Sequence, residues 1–161
     1  MHDRILALSF AIILVSVPTG ATSAEELEVT HCYSGTGRPF SHASVSLASW
    51  ESKGILMSNH PKKLLNGAVV QCEGIQRGGG PARTGDGLCK IVDEDGDAIV
   101  ASMPYVGFDY DVKFLEGTGK WKGITGSLRS TRTVRSIDGK NGIPGTFQGC
   151  RLERGQFELP K

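Results

Sequence analysis

The chain has 161 residues, with 18 basic against 17 acidic side chains and a formal net charge of +1. This near-neutral balance gives no support to a nucleic acid or an anionic membrane surface as a partner. The length suits one domain that can bury a sizeable core, and glycine is abundant at 22 residues.

The first 24 residues are typical of a secretory signal peptide. A short polar start that contains Arg4 precedes an apolar run at residues 5–17, and small residues follow as far as Ala24. The apolar run is too short to cross a bilayer, which needs about 20 residues. The sequence therefore predicts cleavage after Ala24, or after Ser23, and a periplasmic or secreted protein. The mature part, residues 25–161, is predicted to be a single β-barrel domain without a membrane span.

Short strands separated by turns dominate the predicted mature domain, and no amphipathic helix is evident. Period-two alternation and β-branched composition predict strands at residues 27–34, 42–50, 68–75, 88–92, 97–102, 109–115, 127–135 and 146–154, with 156–159 closing the sheet. Residues 35–39 are predicted to break the first strand. Residues 51–66 are predicted to be irregular apart from one helical turn at 62–65. About eight strands favour an all-β fold, either a closed antiparallel barrel or a sandwich.

Four cysteines in an exported chain predict two disulfides, and three pairings are possible. The pair Cys72–Cys89 is favoured locally, because a Gly-Gly-Gly-Pro turn lies midway between two strands that can place both sulfurs on one side. Cys32–Cys150 is then the remaining pair and would tie the first strand to the last. A zinc site is the alternative, but the chain has no Cys-x-x-Cys and no histidine at ligand spacing. We therefore predict no metal and no cofactor.

Two turn-forming stretches invite functional interpretations that their spacing does not support. Residues 93–97, Asp-Glu-Asp-Gly-Asp, resemble a calcium loop, but glycine stands at the fourth position and Pro104 stands where the bidentate glutamate belongs. A hairpin turn is favoured. Residues 117–126, Gly-Thr-Gly-Lys-Trp-Lys-Gly-Ile-Thr-Gly, match neither phosphate-binding glycine motif. They are predicted to connect two strands, with Trp121 or Ile124 filling one end of the barrel.

Candidate site residues come from the predicted inner faces of the strands, since no nucleophile motif occurs and the histidines are scattered. Tyr110 and Phe114 share one face of their strand and are candidates for lining the lumen. Glu73 is a candidate acid or base if its face is the lumen, against an interpretation as a surface carboxylate. Arg132 could hold an anionic ligand group if its face is the lumen, against an interpretation as a solvated side chain.

The motifs together resemble a group of small exported bacterial proteins with an allene oxide cyclase-like β-barrel. The resemblance covers roughly residues 65–130 and rests on Cys72-Glu73-Gly74, Gly87-Leu88-Cys89, the acidic turn at 93–97 and the glycine-rich run at 117–126. It implies an eight-stranded antiparallel barrel, similar in architecture to the lipocalins. Plant cyclases of this fold isomerise an unsaturated fatty-acid epoxide, but their catalytic residues have no counterpart that can be placed on this sequence.

The sequence therefore favours an exported, disulfide-stabilised barrel that binds a small, mainly apolar molecule rather than an enzyme. Two alternatives remain open at this point. One is a cyclase or isomerase acting on a lipid-like substrate. The other is a ligand-free structural protein of the cell envelope. An empty cavity inside the barrel would separate the first two functions from the third.

Overall fold

The computed structural model describes residues 24–42, 44–138 and 142–160. The predicted signal peptide, residues 1–24, lies outside the described residues except for Ala24. No helix with the length and hydropathy of a membrane span occurs in the described part of the chain. The described strands are β1 (Glu25–His42), β2 (Val45–Ser58), β3 (Val69–Arg77), β4 (Thr84–Val92), β5 (Ala98–Ser102), β6 (Tyr105–Val106), β7 (Asp109–Gly117), β8 (Thr125–Asp138) and β9 (Thr146–Glu158). Two short 3-10 helices lie at Gly80–Ala82 and Gly119–Trp121.

Eight of these strands form a closed antiparallel barrel, as the sequence predicts. Neighbours pair in the order β1, β2, β3, β4, β5, β7, β8, β9, and β9 pairs back to β1. The two-residue strand β6 pairs with both β4 and β7. Closure gives each of the eight strands a hydrogen-bonded neighbour on both sides, although the far end of β1 pairs on one side only.

Two predicted breaks are wrong, because strands β1 and β2 run further than their sequences indicate. β1 continues through residues 35–39, and beyond Thr36 it pairs only with β2, where an edge strand tolerates Pro39. β2 continues to Ser58 with Ser52 and Leu56 pointing inward and Ile55 exposed. Because Ser52 is a polar residue on the inner face and Ile55 is an apolar residue on the outer face, the sequence lacks the usual alternation of apolar and polar residues that predicts a strand.

The predicted helical turn at residues 62–65 is also absent. The segment between β2 and β3 is a series of turns in which Lys63 and Leu65 have positive φ values of 54° and 58°. Leu65 is only 4% exposed and packs into the core together with Ala68. This loop therefore helps to fill the end of the barrel at which β2 ends and β3 begins.

The same end is filled by the glycine-rich connector between β7 and β8. Trp121 and Ile124 are each 2% exposed, and the Trp121 ring meets Phe157 edge to face at 6.1 Å. Leu27 and Leu128 join them in one apolar core. The expectation that this connector fills one end of the barrel is confirmed. We call this filled half the closed end.

The connector is held by the acidic turn between β4 and β5. Asp93 Oδ2 accepts a hydrogen bond from Trp121 Nε1 at 2.7 Å and forms an ion pair with Lys120 Nζ at 2.9 Å. Asp97 Oδ2 accepts from the backbone N–H of Lys120 at 3.0 Å, and Asp95 pairs with Lys120 Nζ at 2.6 Å. The predicted hairpin turn is present, and its carboxylates bind the connector.

Both disulfides join strands that are neighbours in the barrel. Cys72–Cys89 links β3 to β4, and both residues are buried on the inner face. Cys32–Cys150 links β1 to β9. Its neighbours in the chain, His31 and Arg151, point inward, so the alternation of the strands places this second disulfide on the outer face.

Candidate functional site

The half of the barrel opposite the closed end contains a cavity of about 440 Å³. Six aromatic side chains line it: Tyr33, Trp50, Tyr105, Phe108, Tyr110 and Phe147. Wider depressions lie on the outside of the barrel, one of them of about 1010 Å³ beside Glu28 and Arg154. That depression is bordered by exposed, ion-paired side chains, whereas the inner cavity has aromatic walls, which is the usual character of a small-molecule site.

One wall of the cavity is made by Trp50 and Tyr105. Trp50 Nε1 donates a hydrogen bond to the hydroxyl oxygen of Tyr105 at 3.1 Å, and the rings meet edge to face at 6.2 Å. Inward-facing glycines of β3 and β4 make this arrangement possible. A Cβ at Gly87 would lie 2.8 Å from Trp50, and one at Gly85 would overlap the Tyr105 ring. These glycines therefore provide space for aromatic rings against the sheet.

A buried polar cluster forms the floor of the cavity, above the apolar core. Glu153 Oε1 accepts a hydrogen bond from the hydroxyl of Tyr110 at 2.7 Å and lies 3.1 Å from His31 Nδ1. Glu153 is 2% exposed and His31 6% exposed. Burial, and then the adjacent Glu153 carboxylate, raise the pKa of Tyr110 well above its ordinary value, so this phenol is neutral near pH 7.

His31 Nε2 is the one buried side-chain nitrogen or oxygen in the described part of the chain that has no hydrogen-bond partner. The ring lies against Gly54 of β2, where a Cβ would approach Nε2 to 2.7 Å. Buried polar atoms normally have partners, so an unpaired one inside a barrel is a feature that calls for an explanation. With Nδ1 bonded to Glu153, the imidazole is oriented by one nitrogen while the other remains unpaired.

Two arginines border the cavity close to Phe108. Arg151 Nη1 donates to the carbonyl oxygen of Phe108 and to Ser130 Oγ at 2.9 Å, and its guanidinium carbon lies 5.0 Å from the centre of the Tyr110 ring. Arg83 Nε donates to the carbonyl oxygen of Gly107 at 2.6 Å and stacks on the Phe108 ring at 4.2 Å. Burial, with a smaller contribution from the charge of Arg151, lowers the pKa of Arg83.

The structure brings some of the predicted site residues to the cavity and excludes others. Tyr110 lines the cavity, whereas Phe114 is 7% exposed and belongs to the apolar core. Placing Glu73 in the lumen is wrong. Its neighbour Cys72 faces inward, so Glu73 points outward, is exposed and accepts a bond from Gln71 Nε2 at 3.2 Å. The side chain of Arg132 lies outside the described part of the structure.

Sequence reasoning missed Arg151 and Glu153 because the pattern of β9 inverts the usual rule. In the run Cys150-Arg151-Leu152-Glu153-Arg154, Arg151 and Glu153 are buried and face inward. Charged residues are usually exposed, so alternation alone assigns them to solvent. Cys150 shows only that Arg151 and Glu153 share the face opposite the disulfide, and it does not show which face that is, because the second disulfide, Cys72–Cys89, lies on the inner face.

No family model matches the chain, and no curated protein matches it. Among solved structures, the chain is similar to the pterocarpan synthase dirigent protein GePTS1, with a TM-score of 0.52 and 9% sequence identity. The match covers 94% of this chain and 98% of that protein. It supports the β-barrel class without singling out the allene oxide cyclase-like barrels that the sequence resembles. At this identity the likeness shows the fold alone: the chain is a disulfide-containing, closed β-barrel.

Proposed function

We propose that this protein binds a small, mainly apolar molecule inside the barrel. The main support for this proposal is the cavity of about 440 Å³, which has walls of six aromatic side chains and a floor made by a buried polar cluster. Aromatic walls with a few fixed polar groups are the usual composition of a small-molecule site. Barrels of eight strands have room for one such ligand when side chains leave the interior partly open.

Export is part of this proposal. Residues 1–24 would be removed as a signal peptide, and residues 25–161 would act in the periplasm or outside the cell. Support comes from the two disulfides, which persist in oxidising compartments and are rare in reducing ones. N-terminal sequencing of the protein recovered from the periplasm or medium would test the predicted cleavage site directly.

A probe titration with matched blocking variants tests ligand binding. N-phenyl-1-naphthylamine is neutral and brightens in apolar sites, so wild type should give a saturable fluorescence increase. Ala48→Phe adds a ring to the cavity wall and should weaken binding at least about tenfold, by filling the space that the probe needs. Ser49→Phe adds the same ring to an exposed neighbour and serves as the control. Absence of saturable binding, or equal affinity of both variants, would contradict the proposal.

A second candidate function is a cyclase or isomerase acting on a lipid-like substrate. The observation in its favour is that Tyr110 and His31 line the cavity and share a buried carboxylate, an arrangement that can orient groups for proton transfer. The test is conversion of an unsaturated fatty-acid epoxide to a cyclopentenone, followed by chiral chromatography. Tyr110→Phe should abolish conversion above the spontaneous rate, whereas Glu73→Gln on the outer face should not. A ligand-free structural protein would show neither binding nor turnover.

A further inference from the structure

The cavity has an uneven charge composition. Its lining includes Arg83 and Arg151, and no Asp or Glu occurs among the described lining residues. Within the described part of the chain, neither guanidinium has a carboxylate within 4.0 Å. A partly desolvated positive charge is costly unless an opposite charge or several hydrogen bonds compensate it. The cavity therefore presents a positive charge that no carboxylate of the described residues pairs.

The acid closest to Arg151 along its strand does not supply the missing partner. Glu153 lies two residues away on the same inner face, yet its Oε1 is engaged by Tyr110 and His31. Arg151 instead donates to neutral oxygens, among them the carbonyl oxygen of Phe108 and the hydroxyl oxygen of Ser130. These contacts fix the guanidinium in place without neutralising its charge.

The nearby phenols do not neutralise the arginines either. Burial raises the pKa values of Tyr33 and Tyr105 above their ordinary value, so both are uncharged near pH 7. Arg83 donates a hydrogen bond from Nε to the backbone carbonyl oxygen of Gly107, and its guanidinium stacks on the Phe108 ring. A guanidinium has five N–H donors in a fixed planar fork that matches a carboxylate, and stacking leaves its edge available for such a partner.

We propose that the ligand of this cavity is a mainly apolar molecule that carries one carboxylate-like anionic group. The anionic group binds at Arg83 and Arg151, which both contact Phe108, and the apolar body packs against Trp50 and Tyr105. This inference rests on the proposed binding function and names the class of ligand for that same cavity. Charge-assisted, bidentate bonds are the strong ones, so the anionic group provides selectivity as well as affinity.

Three probes with the same ring system but different charge test the proposal on wild-type protein by isothermal titration calorimetry at pH 7. They are 2-naphthoate, neutral 2-naphthamide and cationic 2-(aminomethyl)naphthalene. We expect naphthoate to bind at least about tenfold more tightly than naphthamide, the scale of one charge-assisted contact, and the cation to bind most weakly. Equal affinities, or tighter binding of the amide or the cation, would overturn the proposal without any variant being made.

Variants then locate the anionic group. Arg83→Met should reduce the preference for naphthoate over naphthamide to less than about threefold, and Arg83→Lys should keep part of it because the charge remains while the fork is lost. Arg129→Met removes an arginine that is 71% exposed and outside the cavity lining, and it should leave the preference unchanged. A preference that survives Arg83→Met, or one that disappears in Arg129→Met, would overturn the assignment.

The outcomes separate this inference from the function on which it rests. If the neutral naphthyl probe or N-phenyl-1-naphthylamine binds and naphthoate has no advantage, the inference fails and the binding function stands. If no probe binds, both fail. Near-ultraviolet circular dichroism of each variant shows whether the barrel is intact, and the wild-type comparison of the three probes decides the matter where a variant does not fold.

Discussion

Glu153 accepts hydrogen bonds from two side chains on two other strands, and this makes it the centre of the polar floor. Tyr110 comes from β7 and His31 from β1, and the two contacts converge on the same carboxylate oxygen. A buried carboxylate is stable only when it is bonded in this way, and the donors in turn depend on it. The residue therefore links the shape of the cavity floor to the stability of the barrel.

The first prediction concerns this carboxylate. Glu153→Ala leaves Tyr110 and His31 without their acceptor and should lower the free energy of unfolding by about 3 kcal/mol, whereas Glu153→Gln keeps an acceptor oxygen and should cost about half as much. Urea denaturation with both disulfides intact measures the difference. Glu73→Ala, at an exposed position of the outer face, is the control and should change stability by less than about 0.5 kcal/mol. Equal effects of the two alanine variants would contradict this role for Glu153.

The polar floor also shows which contacts of single residues can be predicted from the sequence and which cannot. The shared face of Tyr110 and Phe114 was predictable, because a clean period of two within one strand needs only local information. The meeting of His31 and Glu153 was not, since 122 residues separate them and only the pairing of β1 with β9 brings them together. Strand register is a non-local property, and a shift of one residue would reverse every inward position.

At the scale of elements, the acidic turn and the glycine-rich connector act as one unit. Thr118 and Ala98 exchange two hydrogen bonds of 2.8 Å, one through the Thr118 hydroxyl and one through its backbone N–H. Gly119 has a φ of 50°, and a Cβ there would overlap the Asp97 carboxylate. Both stretches contribute to the resemblance on which the barrel was predicted, and their contact gives a physical reason for them to occur together.

The second prediction concerns the pH dependence of this unit. Burial of Asp93 opposes its charge, but hydrogen bonds from Lys120, Trp121 and the backbone of Asp97 outweigh it, so the pKa of Asp93 lies below its ordinary value. A lowered folded-state pKa means that the unfolded chain binds the proton more readily. The stabilisation is therefore present above about pH 4 and is lost as the pH falls through the folded-state value.

Asp93→Asn should accordingly lower stability at pH 7 by about 2 kcal/mol, through weaker hydrogen bonds to Lys120 and Trp121, and should flatten the loss of stability between about pH 5 and pH 2. Urea denaturation across this range gives both quantities. Glu94→Gln removes an exposed carboxylate from the same turn and is the charge-matched control. An Asp93→Asn curve that runs parallel to wild type down to pH 2 would refute the assignment.

At the scale of the whole molecule, the barrel is divided into a filled half and an open half. Trp121, Ile124 and Leu65 fill one end, and the aromatic cavity occupies the other. The all-β class was predictable because strand number and turn chemistry are local features, although they left a barrel and a sandwich open, and the resemblance of the motifs implied the eight-stranded barrel. The division was not, because it depends on which inner positions are small, such as Gly85 and Gly87, and on which distant rings lie against them.

The third prediction separates the two disulfides by their position in the molecule. Loop-closure entropy alone gives about 3 kcal/mol for Cys72–Cys89, with a sequence separation of 17, and about 5 kcal/mol for Cys32–Cys150, with a separation of 118. Replacing either pair by alanine should therefore destabilise the protein. Only the Cys72/Cys89 variant should also change the affinity for N-phenyl-1-naphthylamine, because Cys72 lines the cavity. Unchanged probe affinity in both variants would count against the described cavity wall.

The pairing of β1 with β9 has a consequence for how the protein can be presented to its surroundings. Glu25 pairs with Phe157, so the first and last described strands meet at the closed end, and the cavity lies towards the other end of the barrel. A linker attached beside either residue would tether the molecule to a surface through its closed end. The cavity would then face away from that surface. The same proximity means that a short peptide could join β9 to β1, so that new ends could be opened at a turn elsewhere without breaking the barrel.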